Sequence, residues 1–490
     1  MKKVIAKKKD VRFLHAITPI IVLGVIMLYG LVIQPKLFSN NVQFPLELIF
    51  MGATIYSVIQ LFYLGFSWEE IQAAMVAKLK SGLPAIFVLF CIGLVIGCWV
   101  ISGTIPMLIY YGIKIIQPSI IYLVAFLVPA VFSTLTGTSW GSAGTIGVVI
   151  IGIAGLIDAN LAVTAGAIVG GAYFGDKLSP LSDTTNMAAI GAEVDLYEHI
   201  KAMFYTTLPA AIMCSIVYFI LGFVFPPAVT SVGQNPEILE TMAALESIFN
   251  FNIFLLIPPI IVLFGALKKK PTVPTLVVSA VTGCILAAMF QKFTVIDIFD
   301  TVLNGFKIEM VSWIKDTPVN IITILERGGL YNLISPITIT IIVFMFIGSL
   351  DLIDALPTVV ERTTRFIKTR AQTILATLLC TSLCNALTSN QFATSFIIGA
   401  SFKYKFDALK IPRKVLSRSM EDAGTMIEGM LPWTTTGVYM ATTLGIPVVE
   451  YAPYHLLFIF SIIIACGLAI TGKGCFYHQI DEEELSTVEM

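Results

Sequence analysis

The sequence predicts an all-α polytopic membrane protein with two inverted-topology repeats, about ten transmembrane helices and two re-entrant helical hairpins whose helices break at the membrane midplane. Three observations predict this fold: the composition, a duplication at a fixed offset, and polar interruptions in two apolar segments. The chain of 490 residues is 57% hydrophobic and 12% charged, whereas soluble domains are about 45–50% apolar and about 25% charged. This excess of apolar side chains is typical of helices that face lipid.

The transmembrane helices are predicted from apolar runs that end at turn or charge signals. A spanning helix needs about 20 mainly apolar residues, and runs that approach this length recur throughout the chain. Five of them fall in each half. The predicted spans are residues 14–33, 46–65, 84–103, 161–186 and 203–226, followed by 251–267, 272–290, 336–355, 413–445 and 455–473.

The two halves resemble each other at a nearly constant offset, which indicates an internal duplication. Four matches in the same order at one offset are hard to obtain by chance, although each alone is weak evidence. The offset is 252 residues for three of the matches and 251 for the fourth. The matched features are Pro84 with Pro336, Pro106 with Pro357, residues 135–147 with 387–399, and residues 180–186 with 432–438.

The distribution of Lys and Arg predicts how the halves are oriented. Short cytoplasmic loops of membrane proteins are enriched in these residues. All the basic clusters can be cytoplasmic if residues 119–155 and 371–402 are hairpins that leave the membrane on the side they entered. Each half then crosses the membrane five times, and this odd number inverts the second half. Such inverted repeats recur in transporters.

This topology places the chain in the cell membrane as a multi-pass protein with cytoplasmic N- and C-termini. Its linker and insertion lie on the opposite side. The predicted regions are a basic N-terminus at 1–13, a first repeat at 14–226, an extracellular linker at 227–250, a second repeat at 251–473 with an extracellular insertion at 291–335, and an acidic tail at 474–490.

Small polar residues interrupt both hairpin segments near their centres. Non-helical backbone at membrane depth is buried in protein or lines a wet cavity, because unpaired N–H and C=O groups are costly in hydrocarbon. Hydroxyl, amide and carbonyl oxygens are ligands of hard cations such as sodium. We predict an ion or substrate site at both turns, with helix caps or packing contacts as the alternative. The candidate residues are Thr138, Ser139, Asn385, Ser389 and Asn390.

Residues 173–186 contain two carboxylates, Asp176 and Asp183, within a predicted span. Acidic residues inside membranes are rare and usually face a pathway. Burial favours a neutral carboxyl group, so one aspartate can hold either a proton or a sodium ion, and exclusive occupancy couples the two. Asp183 is the preferred sodium ligand, and Asp176 is either a second ligand or the partner of Lys177 in a structural ion pair. The neighbouring candidate ligands are Ser182, Thr184 and Asn186.

The matching stretch of the second half supplies a different set of groups. Thr435 stands where Asp183 lies in the first half, so the two halves of the site are not chemically equivalent. Glu421 and Asp422 follow a basic loop, and at least one of them is expected to cap a helix at the cytoplasmic face. The candidate ligands here are Glu428, Thr434 and Thr435.

Other functional classes find no support in the sequence. There is no HExxH or P-loop motif, and we expect neither an enzyme nor an ATP-driven pump. The four histidines form no metal-ligand pair, and no cofactor is implied. The net charge of −1 does not indicate nucleic-acid binding. The energy for transport would come from an ion gradient.

The motifs at 137–148, 163–188 and 419–441 resemble the NhaC-type sodium/proton antiporters of the ion transporter superfamily. The resemblance extends from about residue 80 to 470, and the middle motif is the most specific. It implies secondary active transport across the bacterial plasma membrane, with sodium export against proton entry. Some members of the family are similar to malate/lactate exchangers or amino-acid carriers.

Two hypotheses of transport follow. The first is a sodium/proton antiporter that works by alternating access, in which Asp183 and Asp176 bind the exchanged cations. The second adds a small organic acid or amino acid, held between the hairpin tips where helix N-termini receive its carboxylate. The expected partners are sodium ions, protons and the lipid bilayer, and a homodimer is compatible with the sequence. An ion channel or a membrane-embedded enzyme is the third alternative, which the repeat and the missing catalytic groups argue against.

Overall fold

The computed structural model describes residues 9–34, 44–229, 236–268, 270–314 and 319–477. These ranges contain helices and no strand. Within them, nine helices are long and apolar enough to cross a membrane, or eleven if each of two bent helix pairs counts as one span. The predicted class, an all-α polytopic membrane protein, is therefore confirmed. Most of the predicted basic N-terminus and acidic tail lies outside the described residues.

The first half contains nine helices in the described ranges. Two helices precede the long helix α3, and α4 follows it. The predicted hairpin segment consists of the next two helices, which are joined at Gly137 and Thr138. The helices are α1 (Phe13–Met27), α2 (Leu46–Leu64), α3 (Trp68–Ile101), α4 (Thr104–Ile115), α5 (Ile121–Thr136), α6 (Ser139–Leu156), α7 (Leu161–Leu178), α8 (Asp183–Ala192) and α9 (Leu196–Val224).

The second half has its helices in the same order, with two additional short helices before α15. Its hairpin is joined at Ser389 and Asn390. The helices are α10 (Pro236–Ile248), α11 (Ile257–Leu267), α12 (Thr272–Phe290), α13 (Val295–Asn304), α14 (Val319–Leu325), α15 (Ile334–Asp351), α16 (Ala355–Thr364), α17 (Arg370–Thr388), α18 (Gln391–Ala408), α19 (Arg413–Met420), α20 (Thr435–Leu444), α21 (Val448–Tyr451) and α22 (Leu456–Thr471).

The helix boundaries and turns repeat with the offset that the sequence indicated. Helices α7, α8 and α9 begin 252 residues before α19, α20 and α21. Residues with positive φ, which end helices or form tight turns, recur with the same spacing. The pairs are Gly137 with Ser389, Asp158 with Lys410, and Glu193 with Gly445. The duplication therefore extends to the backbone conformation of single residues.

The equivalent helices α3 and α15 run antiparallel to each other. Near the start of α3, Lys78 forms an ion pair of 3.0 Å with Asp351 at the end of α15. Farther along, Gly82 lies against Phe344, and the carbonyl of Gly93 accepts a 2.8 Å hydrogen bond from Gly329, just before α15. Since equivalent helices point in opposite directions, the two halves have inverted topology, as predicted.

The predicted spans 161–186 and 413–445 are each broken. Helix α7 ends at Leu178 and α8 begins at Asp183, with an extended turn between them. In the second half, α19 continues through a π turn and a 3₁₀ turn to Met430, and α20 begins at Thr435. Neither span is one continuous helix, because each contains a proline and small hydroxyl residues that end one helix and cap the next.

The basic segments of the chain gather on one face. The guanidinium of Arg362 lies 5.8 Å from the ring centroid of Phe13, and Arg370 donates a 2.8 Å hydrogen bond to the carbonyl of Leu409. Arg370 also lies 4.5 Å from the ring centroid of Tyr477, near the C-terminus. We call this surface, with Lys78, Arg362, Arg370, Lys405 and Arg413, the basic face.

Candidate functional site

The two hairpin tips meet at one cavity of about 800 Å³. Thr138 and Ser139 line it from the first tip, and Ser389 and Asn390 line it from the second. The cavity extends to the exposed residue Ser81 on α3 and to the exposed Lys270 before α12. The same wall contains most of the other predicted site residues: Asp176, Asp183, Thr184, Asn186, Glu428 and Thr435.

The first tip requires a tight approach of two backbone segments. Gly137 has φ +70°, and a Cβ there would lie 2.6 Å from the Cβ of Leu181 in the break between α7 and α8. Thr138 caps α6 by accepting a 3.2 Å hydrogen bond from the N–H of Gly141. The hairpin turn therefore fits directly against the broken helix, and Ser139 is brought beside Asp176.

Asp176 lies at this junction and is 5% exposed. The hydroxyl and backbone N–H of Ser139 and the hydroxyl of Ser182 face its carboxylate as hydrogen-bond donors. In the described part of the chain, no Lys or Arg forms an ion pair with Asp176. Among the described residues, hydrogen-bond donors rather than a basic side chain face this carboxyl group.

Glu428 occupies the equivalent position in the second half, 252 residues after Asp176. Its Oε2 accepts a 2.6 Å hydrogen bond from Thr436, and the backbone N–H of Gln391 at the second tip also faces it. Its other oxygen, Oε1, is buried without a partner among the described residues. Gln391 is in turn the equivalent of Ser139, so both acids contact the tip of their own repeat.

Asp183, the preferred sodium ligand from the sequence, does not lie in an enclosed site. It is the first residue of α8, it is exposed, and it lines the open cavity. Its negative charge acts on the nearby Asp176. The geometry therefore favours Asp176 over Asp183 as the enclosed ligand, reversing the order of preference drawn from the flanking hydroxyl residues.

A third buried acid lies beside the first two. Glu421 is 0% exposed, and its Oε1 accepts a 3.2 Å hydrogen bond from Thr184. Its Oε2 has no partner among the described residues. Asp422 is also fully buried, so the expectation that at least one of these acids caps a helix at the cytoplasmic face is wrong. The two acids form a π turn inside the protein instead.

Lys177 pairs with Asp422 rather than with Asp176. The two side chains form an ion pair of 2.7 Å, and both are 0% exposed. The pairing of Lys177 with its neighbour Asp176, considered from the sequence, is wrong because adjacent residues on a helix do not face each other. The ion pair joins α7 of the first repeat to the π turn of the second.

Several predicted site residues serve mainly to hold the backbone. Ser182 and Thr434 cap α8 and α20, and Asn390 caps α18. Asn186 donates to the carbonyls of Pro180 and Ser182 at 3.1 and 2.6 Å. With Thr138, these caps place the N-termini of four helices around the site, where positive dipole ends stabilise the buried carboxylates.

The second tip is joined to α20 and to the π turn. The hydroxyl of Ser389 lies 3.0 Å from that of Thr435 and accepts a 2.7 Å hydrogen bond from its N–H. Asn385 donates to Gln391 and to the carbonyl of Gly424 at 2.9 and 2.7 Å, and its buried Oδ1 has no partner among the described residues. Ser389 and Thr435 line the same cavity as Glu428, and the Asn385 side chain faces Glu428.

Sequence reasoning missed part of the site. Tyr173 is buried beside Glu428 and Asp176, and Thr436 binds Glu428 directly. The sequence did contain the information that Glu428 is the equivalent of Asp176 in the second repeat. Glu428 lies 252 residues after Asp176, which is the repeat offset. Nothing in the sequence indicated the position of Tyr173 or the burial of Glu421.

An aromatic pair closes one side of the cavity. The rings of Trp140 and Tyr439 are stacked with centroids 4.2 Å apart and planes at 12°. Tyr439 donates a 2.5 Å hydrogen bond to the carbonyl of Trp140, and Trp140 donates to Thr436 at 3.3 Å. The equivalent of Trp140 in the second half is Phe392, which is 41% exposed and lines the cavity.

Comparison with known proteins identifies the family of this chain. A model of the Na+/H+ antiporter family matches residues 171–473, which include both helix breaks and the second hairpin. This chain belongs to the Na+/H+ antiporter family. The resemblance to NhaC-type proteins that the motifs indicated is thereby confirmed.

Relatives within the family match almost the whole chain. An uncharacterized Na+/H+ antiporter of Haemophilus influenzae is 40% identical over 462 residues, which cover 94% of this chain and 96% of the relative. The Na+/H+ antiporter NhaC of Alkalihalophilus pseudofirmus is 34% identical over 93% and 95% of the two chains. The malate-2H+/Na+-lactate antiporter of Bacillus subtilis is 33% identical over 96% and 97%.

Proposed function

We propose that this member of the Na+/H+ antiporter family exchanges sodium ions for protons across the cell membrane. Asp176 and Glu428 hold the exchanged cations, and the hairpin tips complete the site. Alternating access to one cavity from the two sides of the membrane carries the ions across. The proposal also assigns the basic face to the cytoplasm by the positive-inside rule, with both termini on that side.

The observation that carries the proposal is the enclosed carboxylate of Asp176 without a basic partner. A buried ionised carboxylate is costly unless a counter-charge or a proton accompanies it. The dipoles of Ser139 and Ser182 reduce that cost but leave the charge in place. Either a sodium ion or a proton can neutralise it, and both cannot do so together. Mutually exclusive occupancy of this kind couples the two ions.

The atoms around the two acids suit a hard cation. Three buried oxygens here have no hydrogen-bond partner in the part of the chain that the structure describes: Oε1 of Glu428, Oδ1 of Asn385 and the hydroxyl of Tyr173. Hydroxyl oxygens of Ser139, Ser182 and Thr436 lie beside the carboxylates. Sodium takes oxygen ligands from carboxylates, carbonyls and hydroxyls. The described residues contain no cluster of His, Cys, Asp and Glu typical of a transition-metal site.

The asymmetry of the equivalent aromatic positions supports alternating access. On one side of the tips, Trp140 is stacked on Tyr439, and on the other side its equivalent Phe392 lines the open cavity. The cavity reaches Ser81 and Lys270, near the basic face. With the basic face in the cytoplasm, this is an inward-open state. In the outward-open state, Phe392 would cover the site and the Trp140–Tyr439 stack would separate.

A second candidate function adds a small organic carboxylate to the sodium and proton exchange. The observation that favours it is the cavity volume of about 800 Å³, which is far more than a sodium ion needs and falls in the range of ligand pockets. Four helix N-termini and Lys270 provide a wall that would suit an anion. The relative whose name includes malate and lactate is 33% identical over 96% of this chain and 97% of its own.

Flux into proteoliposomes tests both functions. The purified protein is reconstituted, a pH gradient is imposed, and uptake of radioactive sodium is measured without organic solutes and then with malate, lactate or amino acids. Proton-driven sodium uptake without an organic solute supports the first function. Sodium uptake that requires one of the added acids would establish the second function and refute the first.

A further inference from the structure

A line of buried polar side chains leads from the basic face to the Lys177–Asp422 ion pair. It lies between α7, α9 and α19, and none of its side chains lines the 800 Å³ cavity. The line begins at an exposed ion pair, continues through an imidazole and two hydroxyl groups, and ends at the buried pair. Its members, in order, are Glu198, Lys414, Ser417, His199, Thr206, Asp422 and Lys177.

The outer part of the line joins Glu198, Lys414, Ser417 and His199, with Ser417 bound to the backbone carbonyl of Lys414. Lys414 donates a 2.9 Å hydrogen bond to Glu198, whose side chain is 41% exposed. The hydroxyl of Ser417 donates to the carbonyl of Lys414 at 3.0 Å, and Nδ1 of His199 lies 2.8 Å from the same hydroxyl. Since that hydroxyl already donates to Lys414, Nδ1 carries the hydrogen of this bond. The other ring nitrogen, Nε2, is then free to accept a proton.

The inner part of the line contacts the ion pair directly. Thr206 donates a 3.1 Å hydrogen bond to Oδ1 of Asp422, the same atom that binds Lys177 at 2.7 Å. His199 and Thr206 are seven residues apart on α9, which places them on one side of the helix about 10 Å apart along its axis. Both are 0% exposed. The charge of Lys177 is close enough to act on the His199 ring.

Three buried polar atoms along this 10 Å interval have no protein partner in the described part of the chain. They are Nε2 of His199, Oγ1 of Thr207 and Oδ2 of Asp422. Buried polar groups in folded proteins are almost always hydrogen-bonded to protein or to ordered water. Three such atoms in one interval therefore indicate a short file of buried water molecules, each with two or more polar neighbours.

We propose that this file, with His199, Ser417 and Thr206, forms a proton branch that connects the basic face to the buried acids separately from the sodium cavity. The inference rests on the proposed sodium/proton exchange. His199 takes a proton from water at Nε2 and releases one from Nδ1 to the Ser417 hydroxyl, so that the ring gains and loses one proton in each transfer. Ser417 passes its own proton to water beside Glu198 after rotating away from the Lys414 carbonyl.

The branch explains how sodium and protons use one site without sharing one route. The side chains of His199, Ser417 and Thr206 are fully buried, so the branch holds single water molecules and gives no open passage to a hydrated sodium ion. A proton moves by exchange along hydrogen bonds and needs no such space. The charged or titratable groups that face the inner end are Lys177, Asp422, Glu421, Asp176 and His455.

The experiment compares two transport reactions of the full chain in proteoliposomes. Sodium uptake driven by a pH gradient requires proton transfer, whereas exchange of radioactive sodium for unlabelled sodium at one pH does not. His199→Asn keeps a polar atom near the Nδ1 position for Ser417 and removes Nε2. Thr206→Val removes the hydroxyl bound to Asp422. Thr377→Val is the matched control, because Thr377 is equally buried and donates only to the carbonyl of Thr373 in its own helix.

We expect His199→Asn and Thr206→Val to slow proton-driven sodium uptake about tenfold or more, while sodium/sodium exchange stays within about twofold of the wild type. Thr377→Val should leave both reactions unchanged. An equal loss of both reactions in the two branch variants would show a structural role and overturn the branch. Unchanged proton-driven uptake would overturn it as well. A wild-type protein without proton-driven uptake would refute the proposed function itself, and the branch with it.

Discussion

Asp176 and Glu428 are equivalent residues of the two repeats, and each carboxylate faces the backbone N–H that follows the hairpin tip of its own repeat. The two acids line one cavity, where their charges act on each other. The inverted duplication has thus produced a pair of acidic sites that face one space from opposite directions. Their surroundings differ, with Ser139 and Ser182 beside Asp176 and Thr436 beside Glu428.

The first prediction concerns these two acids. Asp176→Asn and Glu428→Gln preserve shape and hydrogen bonding but remove the charge that a cation neutralises. We expect Asp176→Asn to reduce proton-driven sodium flux about 100-fold or more, and Glu428→Gln to reduce it as well. Flux in proteoliposomes, normalised to the amount of inserted protein, measures this effect.

Asp183→Asn is the matched control for this prediction. Asp183 is exposed in the cavity, so its loss should weaken the attraction of sodium and raise the KM without uncoupling the exchange. Loss of coupling in Asp183→Asn together with normal flux in Asp176→Asn would return the essential role to the residue that the sequence favoured.

The sequence was sufficient to predict the architecture of the chain. The offset of 252 residues between the tip motifs reappears in the positive φ angles of Gly137 and Ser389. Hairpins, breaks and inversion follow from apolar length, small polar residues and the distribution of Lys and Arg. Each of these features is either a local sequence pattern or a count of residues along the chain. A single sequence is therefore enough to show them.

The arrangement of the charged groups was not predictable in the same way. Lys177 pairs with Asp422, which lies 245 positions later in the chain, and this choice depends on how two helices pack rather than on any local pattern. The same holds for Glu421, which stands next to a basic loop yet is fully buried. The sequence also contained no sign that the tip at Ser139 encloses Asp176 and leaves Asp183 exposed.

The second prediction concerns the Lys177–Asp422 ion pair. Removing one partner leaves an uncompensated charge in the interior, which costs about 3–5 kcal/mol, whereas replacing both by apolar residues of similar volume is much less costly. We therefore expect Lys177→Met and Asp422→Leu each to lower the melting temperature in detergent. The double variant should recover much of the loss. A double variant less stable than either single variant would show that the pair is not a charge-compensating unit.

The third prediction concerns the packing of α5 against α7. A Cβ on Gly175 would overlap the backbone of Ser133 and Thr134. We expect Gly175→Ala to destabilise the protein by about 1–3 kcal/mol, the usual cost of overpacking, and to lower its melting temperature. Gly155→Ala is the control, because nothing lies within 4 Å of a Cβ at that position. Equal melting temperatures for the two variants would refute this close contact.

The fourth prediction concerns pH and the basic face. Hydrogen bonds from Lys403 and then Arg413 hold the pKa of Glu193 below its usual range. A carboxyl group with a lowered pKa stabilises the fold above its unfolded pKa of about 4.3, and the stabilisation is lost as the pH falls through the folded value. Arg413→Gln should therefore lower the melting temperature at about pH 7. The difference from the wild type should shrink toward about pH 3; a constant difference would contradict this linkage.

Competition between sodium and a proton for Asp176 is most directly tested by calorimetry of sodium binding to the purified protein. Titrations in buffers of different ionisation enthalpy give the number of protons released with each bound sodium ion. We predict release of about one proton per sodium ion in the pH range where the site is protonated, and no sodium binding to Asp176→Asn. Sodium binding that releases no proton at any pH, or that persists unchanged in Asp176→Asn, would contradict the mechanism.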